Sequence, residues 1–467
     1  MSKPLMRIPY TGPLPPPLII PPSAATKHGA IAALAHFLTS KSPAPTTTNS
    51  ADGSSSHSHG TKDKDGSGAD LPEPGPSLPK NTNTSKTVLL TGAGISVASG
   101  LADYRGEKGT YTQNKSYRPI YFHEFVASHE ARKRYWARSF LGWRGLHHAS
   151  PNATHYAIRD LGRLGLVDSV ITQNVDSFHP LAHPALPTIE LHGFLRSLVC
   201  LSCQRLMDRE AFQARLAALN PAWAEFLQDL LKSGALDTED PLERRRKGFR
   251  TNPDGDADVP GAPYTTFRYP ACPHCLKRPP ILKDGSKGHV DVDADGAWIA
   301  RPKSSTSSGG GGDGGVDSVG ILKPNVIMFG ESIPSAIKAA AEAAIDAAGK
   351  ILVLGSSLAT YSAWRLVKRA HDRGMGIGVL NLGGVRKEEV FFEASQAGHS
   401  HEHGHGHLQS QSHRHPQSHE HEQSHPHPHL HTTDSALIVN RDVVRASLPT
   451  EEILPGVVDY ICNQRGL

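Results

Sequence analysis

The chain has 467 residues with 49 Lys+Arg against 45 Asp+Glu, a formal charge of only +4, and that balance excludes a dedicated nucleic-acid coat. Hydrophobic residues make up 37% beside 44 Gly and 36 Pro, so long stretches are unfolded filler and about two-thirds of the chain is expected to pack. No run reaches the ~18 apolar residues of a membrane helix, since even Ala339 to Leu354 is broken by Glu342, Asp346 and Lys350; neither a membrane nor direct nucleic-acid binding is expected.

In chain order, the first 50 residues contain no Asp or Glu but include Lys3, Arg7, Lys27 and Lys41, the composition of a mitochondrial transit peptide. The apolar spacing from Ile31 to Leu38 is helical, so residues 1–41 read as a leader followed by a first helix. Residues 42–85, 284–318 and 398–432 read as disordered inserts. The last of these holds 13 of the 28 His and reads as a solvated linker rather than a specific metal site. Arg244 to Pro263 reads as a polar loop.

The remainder alternates short apolar runs with helical patterns, the signature of a parallel sheet covered by helices. Four runs, Thr87 to Leu90, Ser169 to Thr172, Ile351 to Leu354 and Ile377 to Leu380, each lead into Gly, Asn, Asp or Ser. Ser150-Pro151 marks a helix start whose pattern stops near Gly165, and Ile333-Pro334-Ser335 opens an Ala-rich helix ending by Gly349. After the first run, Gly92-Ala93-Gly94 would let backbone approach a phosphate, although a plain strand-to-helix turn fits as well. Gln173 to Asp176, Gly355-Ser356-Ser357 and Asn381-Leu382-Gly383 follow the other three runs. In an open parallel sheet all four turns meet at the carboxyl edge, where a dinucleotide with two riboses would find its partners.

Five Cys are present, four of them in Cys200-x-x-Cys203 and Cys272-x-x-Cys275. Two such pairs suit a closed, structural zinc site in a reducing compartment better than a disulfide framework. His192, in Glu190-Leu191-His192-Gly193, lies between the crevice turns and this module. A His beside a Gly is often structural, but here it is the best general base available. No nucleophile elbow or phosphate-binding P-loop occurs, which leaves serine hydrolysis and ATP hydrolysis without support.

The motifs Gly92-Ala-Gly-Ile-Ser96, Ser99-Gly-Leu-Ala-Asp-Tyr-Arg105, Thr172-Gln-Asn-Val-Asp176, Leu191-His-Gly193, the two Cys pairs, Leu322-Lys-Pro-Asn-Val-Ile-Met-Phe-Gly-Glu331, Gly355-Ser-Ser357 and Asn381-Leu-Gly383 resemble the sirtuins, in that family's own order. Arg132 to Arg138 with Gly142-Trp143 further resembles the class II, sirtuin-four-like mitochondrial branch. The resemblance implies an α/β fold: a Rossmann-like parallel sheet with helices on both faces in residues 86–198 and 319–397, closed by a strand and helix in 433–467, plus a small zinc-ribbon domain in 199–283.

It also implies NAD and an acyl-lysine protein or peptide as reactants, one structural zinc ion, and a mitochondrial matrix location. By position, Gly92, Ala93, Gly94, Asp103, Tyr104 and Arg105 would line the pyrophosphate and nicotinamide-ribose region. Gln173, Asn174 and Asp176 would face the nicotinamide end, with Asn174 and His192 as catalytic residues; Gly355, Ser356, Ser357 and Asn381 would hold the adenosine side, and Val443 would touch adenine. Val326 to Glu331, with Phe329 and Gly330, resembles the strand that pairs with substrate backbone. Leu101-Ala102 departs from the family's usual Pro in that loop, and the 68-residue spacer between the Cys pairs is long. The implied activity is NAD-dependent lysine deacylation with release of nicotinamide. Mono-ADP-ribosyl transfer from the same site, or an inert zinc-ribbon binding module, are the alternatives.

Overall fold

Nine strands build the two main sheets of the computed structural model, which describes residues 14–41, 86–107, 109–113, 117–232, 250–251, 256–259, 261–282, 285–300, 319–392 and 442–467. They are β1 (Thr87–Thr91), β2 (Val167–Thr172), β3 (Thr188–Glu190), β4 (Gly193–Cys200), β5 (Leu206–Asp208), β6 (Leu322–Val326), β7 (Lys350–Leu354), β8 (Gly376–Leu380) and β9 (Val443–Ala446). Six of them form a parallel sheet in the order β9-β8-β7-β1-β2-β3. The order reverses between β1 and β7, the switch point at which an open parallel sheet forms its ligand crevice.

Every residue of β1, β7 and β8 is buried, which is why these strands are continuous apolar runs rather than alternating ones. Alternate side chains still serve opposite faces. Leu89 and Leu352 pack with α1 (Lys27–Thr39), α3 (Ala153–Arg163) and α8 (Thr450–Arg465), while Val88, Leu90 and Val353 pack with α6 (Ser335–Asp346) and α7 (Tyr361–Asp372). The second sheet, β5-β4-β6, is antiparallel, with Cys200 at the end of β4; it packs on the long helix α2 (His129–His148).

The first helix forms as its spacing predicts, capped by Thr26, whose Oγ1 accepts from Gly29 N at 3.1 Å. The segment before it is also built into the domain. Ile20 exchanges backbone hydrogen bonds with Arg445 at 2.9 and 2.7 Å, and Leu18 N donates to Glu388 Oε1. Residues 14–41 are therefore part of the packed domain. Close by, the buried Lys350 ammonium donates to the carbonyls of Phe37 and Ser40 and to Ser40 Oγ, and Ser40 Oγ donates to Asp442 Oδ2 at 2.6 Å.

Two expectations need correction, and the spacer between the Cys pairs adds structure that no motif marked. Helix α3 is capped by Asn152 rather than Ser150, because the Asn152 amide also ties down Ile95 O at 2.7 Å and Ser99 Oγ at 2.9 Å after β1. The spacer between the Cys pairs holds two helices, α4 (Arg209–Leu219) and α5 (Pro221–Lys232), whose Phe212 and Trp223 join Trp136 and Phe140 of α2 in one core. The expected insert 284–318 is folded over residues 285–300: Trp298 stacks on Tyr269, and its indole N–H donates to Val319 O at 3.0 Å. Burial of one indole and of Val290 outweighs the polar composition around them. The other expected inserts, 42–85 and 398–432, lie outside the described residues, as do residues 301–318.

Candidate active site

Two glycine-bearing turns cross where the strand order reverses. Gly92 N donates to Leu354 O at 3.1 Å and Gly94 N to Gly355 O at 2.9 Å. A Cβ on Gly94 would meet Gly355 O at 2.8 Å, and one on Gly355, at φ +57°, would meet Ile95 N at 2.5 Å. Side chains are excluded there, which leaves bare backbone at the carboxyl ends of β1 and β7 for a pyrophosphate to approach. Gly355→Ala is expected to weaken NAD binding at least about tenfold by calorimetry, the rate of a 1–3 kcal/mol local strain. Gly374→Ala, at φ +71° with open space around it, should cost stability while leaving that affinity intact.

The loop after β2 supplies the polar floor. Asn174 Nδ2 donates to Gly92 O and to Ser96 Oγ, both at 3.1 Å, and Ser96 Oγ donates to Asp176 Oδ2 at 2.8 Å. Burial pushes the Asp176 carboxyl up, against the hydrogen bonds it accepts from Phe178 N and Ser96. Gln173 Nε2 donates to Ser356 Oγ at 2.8 Å, and its Oε1 accepts from Thr360 at 3.0 Å. The sequence motifs thus join physically: residues expected to hold opposite ends of a dinucleotide already brace one another.

His192, at the junction of β3 and β4, reaches the same floor. Its Nδ1 lies 3.0 Å from Gln173 O, and its Nε2 lies 3.0 Å from Ser362 Oγ. Burial lowers its pKa below the ordinary imidazole value, opposed by the Gln173 carbonyl. The ring is therefore neutral at pH 7 and has a basic nitrogen to offer. Thr360 and Ser362 carried no signal of their own in the sequence; only the proximity of Gln173 and His192 marks them.

The remaining NAD-side candidates spread along the crevice. Asp103 accepts from Gly106 N at 2.9 Å, and burial pushes its carboxyl up; Arg105, its own pKa lowered by burial, lies over the Tyr111 ring, on which Tyr104 stacks. Asp103 thus shapes this loop despite the Leu101-Ala102 departure. Ser357 O accepts from Arg386 N at 2.9 Å, and the buried Asn381 turns its amide onto Leu382 O and Gly383 O. Val443 is misplaced as an adenine contact. It pairs with Ile377 at the amino end of β9, three residues or about 10 Å from the carboxyl edge. Ser447, whose Oγ accepts from Gly383 N at 3.0 Å, stands at that edge instead.

The expected substrate strand is also shorter than its motif. β6 stops at Val326, and residues 327–331 form a turn around Gly330 at φ +85°. Phe329 O accepts from Phe122 N at 2.9 Å. The Glu331 carboxylate is spent inside the turn, accepting from Met328 N at 2.9 Å and from the buried Lys323 ammonium at 3.0 Å, which leaves only its backbone for a substrate strand. Lys323 also donates to Val326 O. A buried ammonium needs this pairing, so the Lys-Glu couple fixes the shape of the turn.

Cys200, Cys203, Cys272 and Cys275 converge, their sulfurs all within 4.8 Å of one another. The Cys200–Cys275 and Cys203–Cys272 separations are 3.6 and 3.8 Å. Four thiolates about 2.3 Å from a tetrahedral zinc are spaced about 3.8 Å apart, so the donor set fits that ion with no open position. Burial pushes the Cys275 thiol up to about 12, and a dication is what lets such thiols ionise together. Zinc here would tie the end of β4 and the turn after it to the short helical segment Pro273–Lys277 rather than act on a substrate.

The sequence profile described as the Sir2 family matches residues 92–362. An NAD-dependent protein deacylase SIR4 of Batrachochytrium dendrobatidis is 38% identical over 309 residues, 65% of this chain and 83% of that protein. The NAD-dependent protein deacylase SRT2 of Arabidopsis thaliana is 33% identical over 66% of this chain and 68% of its own length. The NAD-dependent protein deacylase Sirt4 of Drosophila melanogaster is 32% identical over 65% of this chain and 76% of its own. With the crevice, the imidazole and the four thiols in the positions that its motifs imply, the chain belongs to the Sir2 family.

Proposed function

We propose that this protein is an NAD-dependent protein-lysine deacylase that passes the acyl group of a modified lysine to ADP-ribose and releases nicotinamide. The observation that carries this reading is the imidazole of His192 braced beside the Gln173 to Asp176 loop at the switch point, in a chain of the Sir2 family. NAD, when bound, supplies a nicotinamide-ribose bond whose cleavage activates the ribose. The chain's residues do the rest. Gly92, Gly94 and Gly355 leave backbone room for the pyrophosphate, Asn174 and Asp176 order the nicotinamide end, and His192 removes a proton from a ribose hydroxyl at Nε2. The acyl-lysine peptide lies along the turn that the Lys323–Glu331 pair shapes, so its backbone is recognised rather than one side-chain sequence.

Zinc in the Cys200, Cys203, Cys272 and Cys275 site holds the small domain. The acidic-residue-free first 50 residues and the sirtuin-four-like segment Arg132 to Arg138 support a mitochondrial location. The test is incubation of the full chain with NAD and a panel of peptides bearing acetyl, dicarboxylic acyl and lipoyl lysine. Acyl-dependent nicotinamide release with the acyl group recovered on ADP-ribose is expected. Labelled ADP-ribose appearing on protein instead would assign mono-ADP-ribosyl transfer, and no nicotinamide release with any peptide would overturn the enzyme reading.

A further inference from the structure

The His192 ring is held at both nitrogens. Gln173 O can only accept, so Nδ1 carries the proton. The ring is neutral, so Nε2 presents a lone pair, and the hydroxyl 3.0 Å away on Ser362 donates to it. Ser362 lies in the first turn of α7, and Thr360, the residue before that helix, donates to the Gln173 side chain. One helix start therefore braces the imidazole from both sides, through Ser362 directly and through Gln173 indirectly. The positive end of the α7 dipole beside Nε2 further disfavours a proton there. No charged side chain among the described residues is held against the ring: Asp176 is occupied by Ser96, and Glu190 pairs with Arg196 at 2.6 Å.

We propose that Ser362 is a positioning residue for the general base, clamping His192 in the Nδ1–H form with the Nε2 lone pair turned to the crevice. The inference rests on His192 being the base. A clamp that removes rotamer freedom from a reacting group acts on kcat, because a misplacement of about 1 Å costs about a hundredfold in rate and a loosened ring costs less. A substrate hydroxyl then joins Ser362 as a second donor to that lone pair, so the clamp persists while the proton moves.

The full chain carrying Ser362→Ala, Ser362→Thr or His192→Gln distinguishes the possibilities. Ser362→Ala is expected to lower kcat for acyl-dependent nicotinamide release about tenfold at an unchanged KM for NAD, with Ser362→Thr restoring it. In the free protein labelled with 15N-histidine, the Nδ1–H signal that His192→Gln removes should exchange with water about tenfold faster in Ser362→Ala, the mark of a ring no longer held. Wild-type kcat and wild-type exchange in Ser362→Ala would overturn the proposal, and so would faster turnover, which would make the hydroxyl a competitor. Full activity in His192→Gln would instead overturn the assignment of the base, while the exchange rates of the free protein still report on the clamp.

Discussion

Cys275→Ser is expected to strip the metal and unfold the small domain. Structural zinc sites in small modules contribute about 10–16 kcal/mol of apparent binding energy at pH 7, and without the ion such modules do not fold. Here the four thiols sit inside the core that also holds Trp136, Phe212 and Trp298, so their loss would open the packing between α2 and the antiparallel sheet. Native mass spectrometry should show one zinc per wild-type chain and none in the variant, and limited proteolysis should cut between residues 200 and 300 while the parallel sheet survives. Unchanged metal content and an unchanged melting temperature would remove the structural role argued for these cysteines.

His192→Gln is expected to lower acyl-dependent nicotinamide release by about a hundredfold to ten-thousandfold, the usual contribution of a placed acid-base group. NAD affinity, which the glycine turns and the Gln173 to Asp176 loop provide, should stay within about threefold by calorimetry, the change expected when no binding contact is lost. The pH profile of the wild type carries a matching sign. Because burial lowers the His192 pKa, the base stays unprotonated below the ordinary imidazole value, and the acid limb of kcat/KM should fall below pH 6.5 rather than above it. An acid limb above that value, or a variant with wild-type turnover, would place the proton acceptor elsewhere.

Much of this was legible in the chain itself, for a physical reason. Strands buried on both faces must be apolar throughout, so Thr87 to Leu90 and Ile351 to Leu354 stand out, and the residues just after them fall at the crevice by topology alone. Paired thiols are equally conspicuous because few other structures need them at that spacing. Other features were hidden. Ser362 and Thr360 are ordinary helix-start residues whose meaning depends on a neighbour 170 and 187 positions away. Glu331 matched a motif, yet a buried Lys323 drew its carboxylate inward. Trp298 lay in a polar, Gly-rich setting whose average composition concealed one aromatic anchor. Val443 failed because a long intervening segment removed the register that would have marked the carboxyl end of its strand.

The knot of polar contacts around Lys350 bears on how the chain tolerates length. Ser40 touches Asp442 and the Lys350 side chain, and Lys86 O accepts from Gly349 N at 3.0 Å, so the two chain ends that border residues 42–85 are moored side by side at the amino rim of the sheet. With the moorings fixed, doubling a loop's length adds only about 0.6 kcal/mol of closure cost. Foreign sequence grafted between those anchors would hang on the far side of the sheet from the chemistry, which makes this rim a natural splice point for reporters or affinity tags.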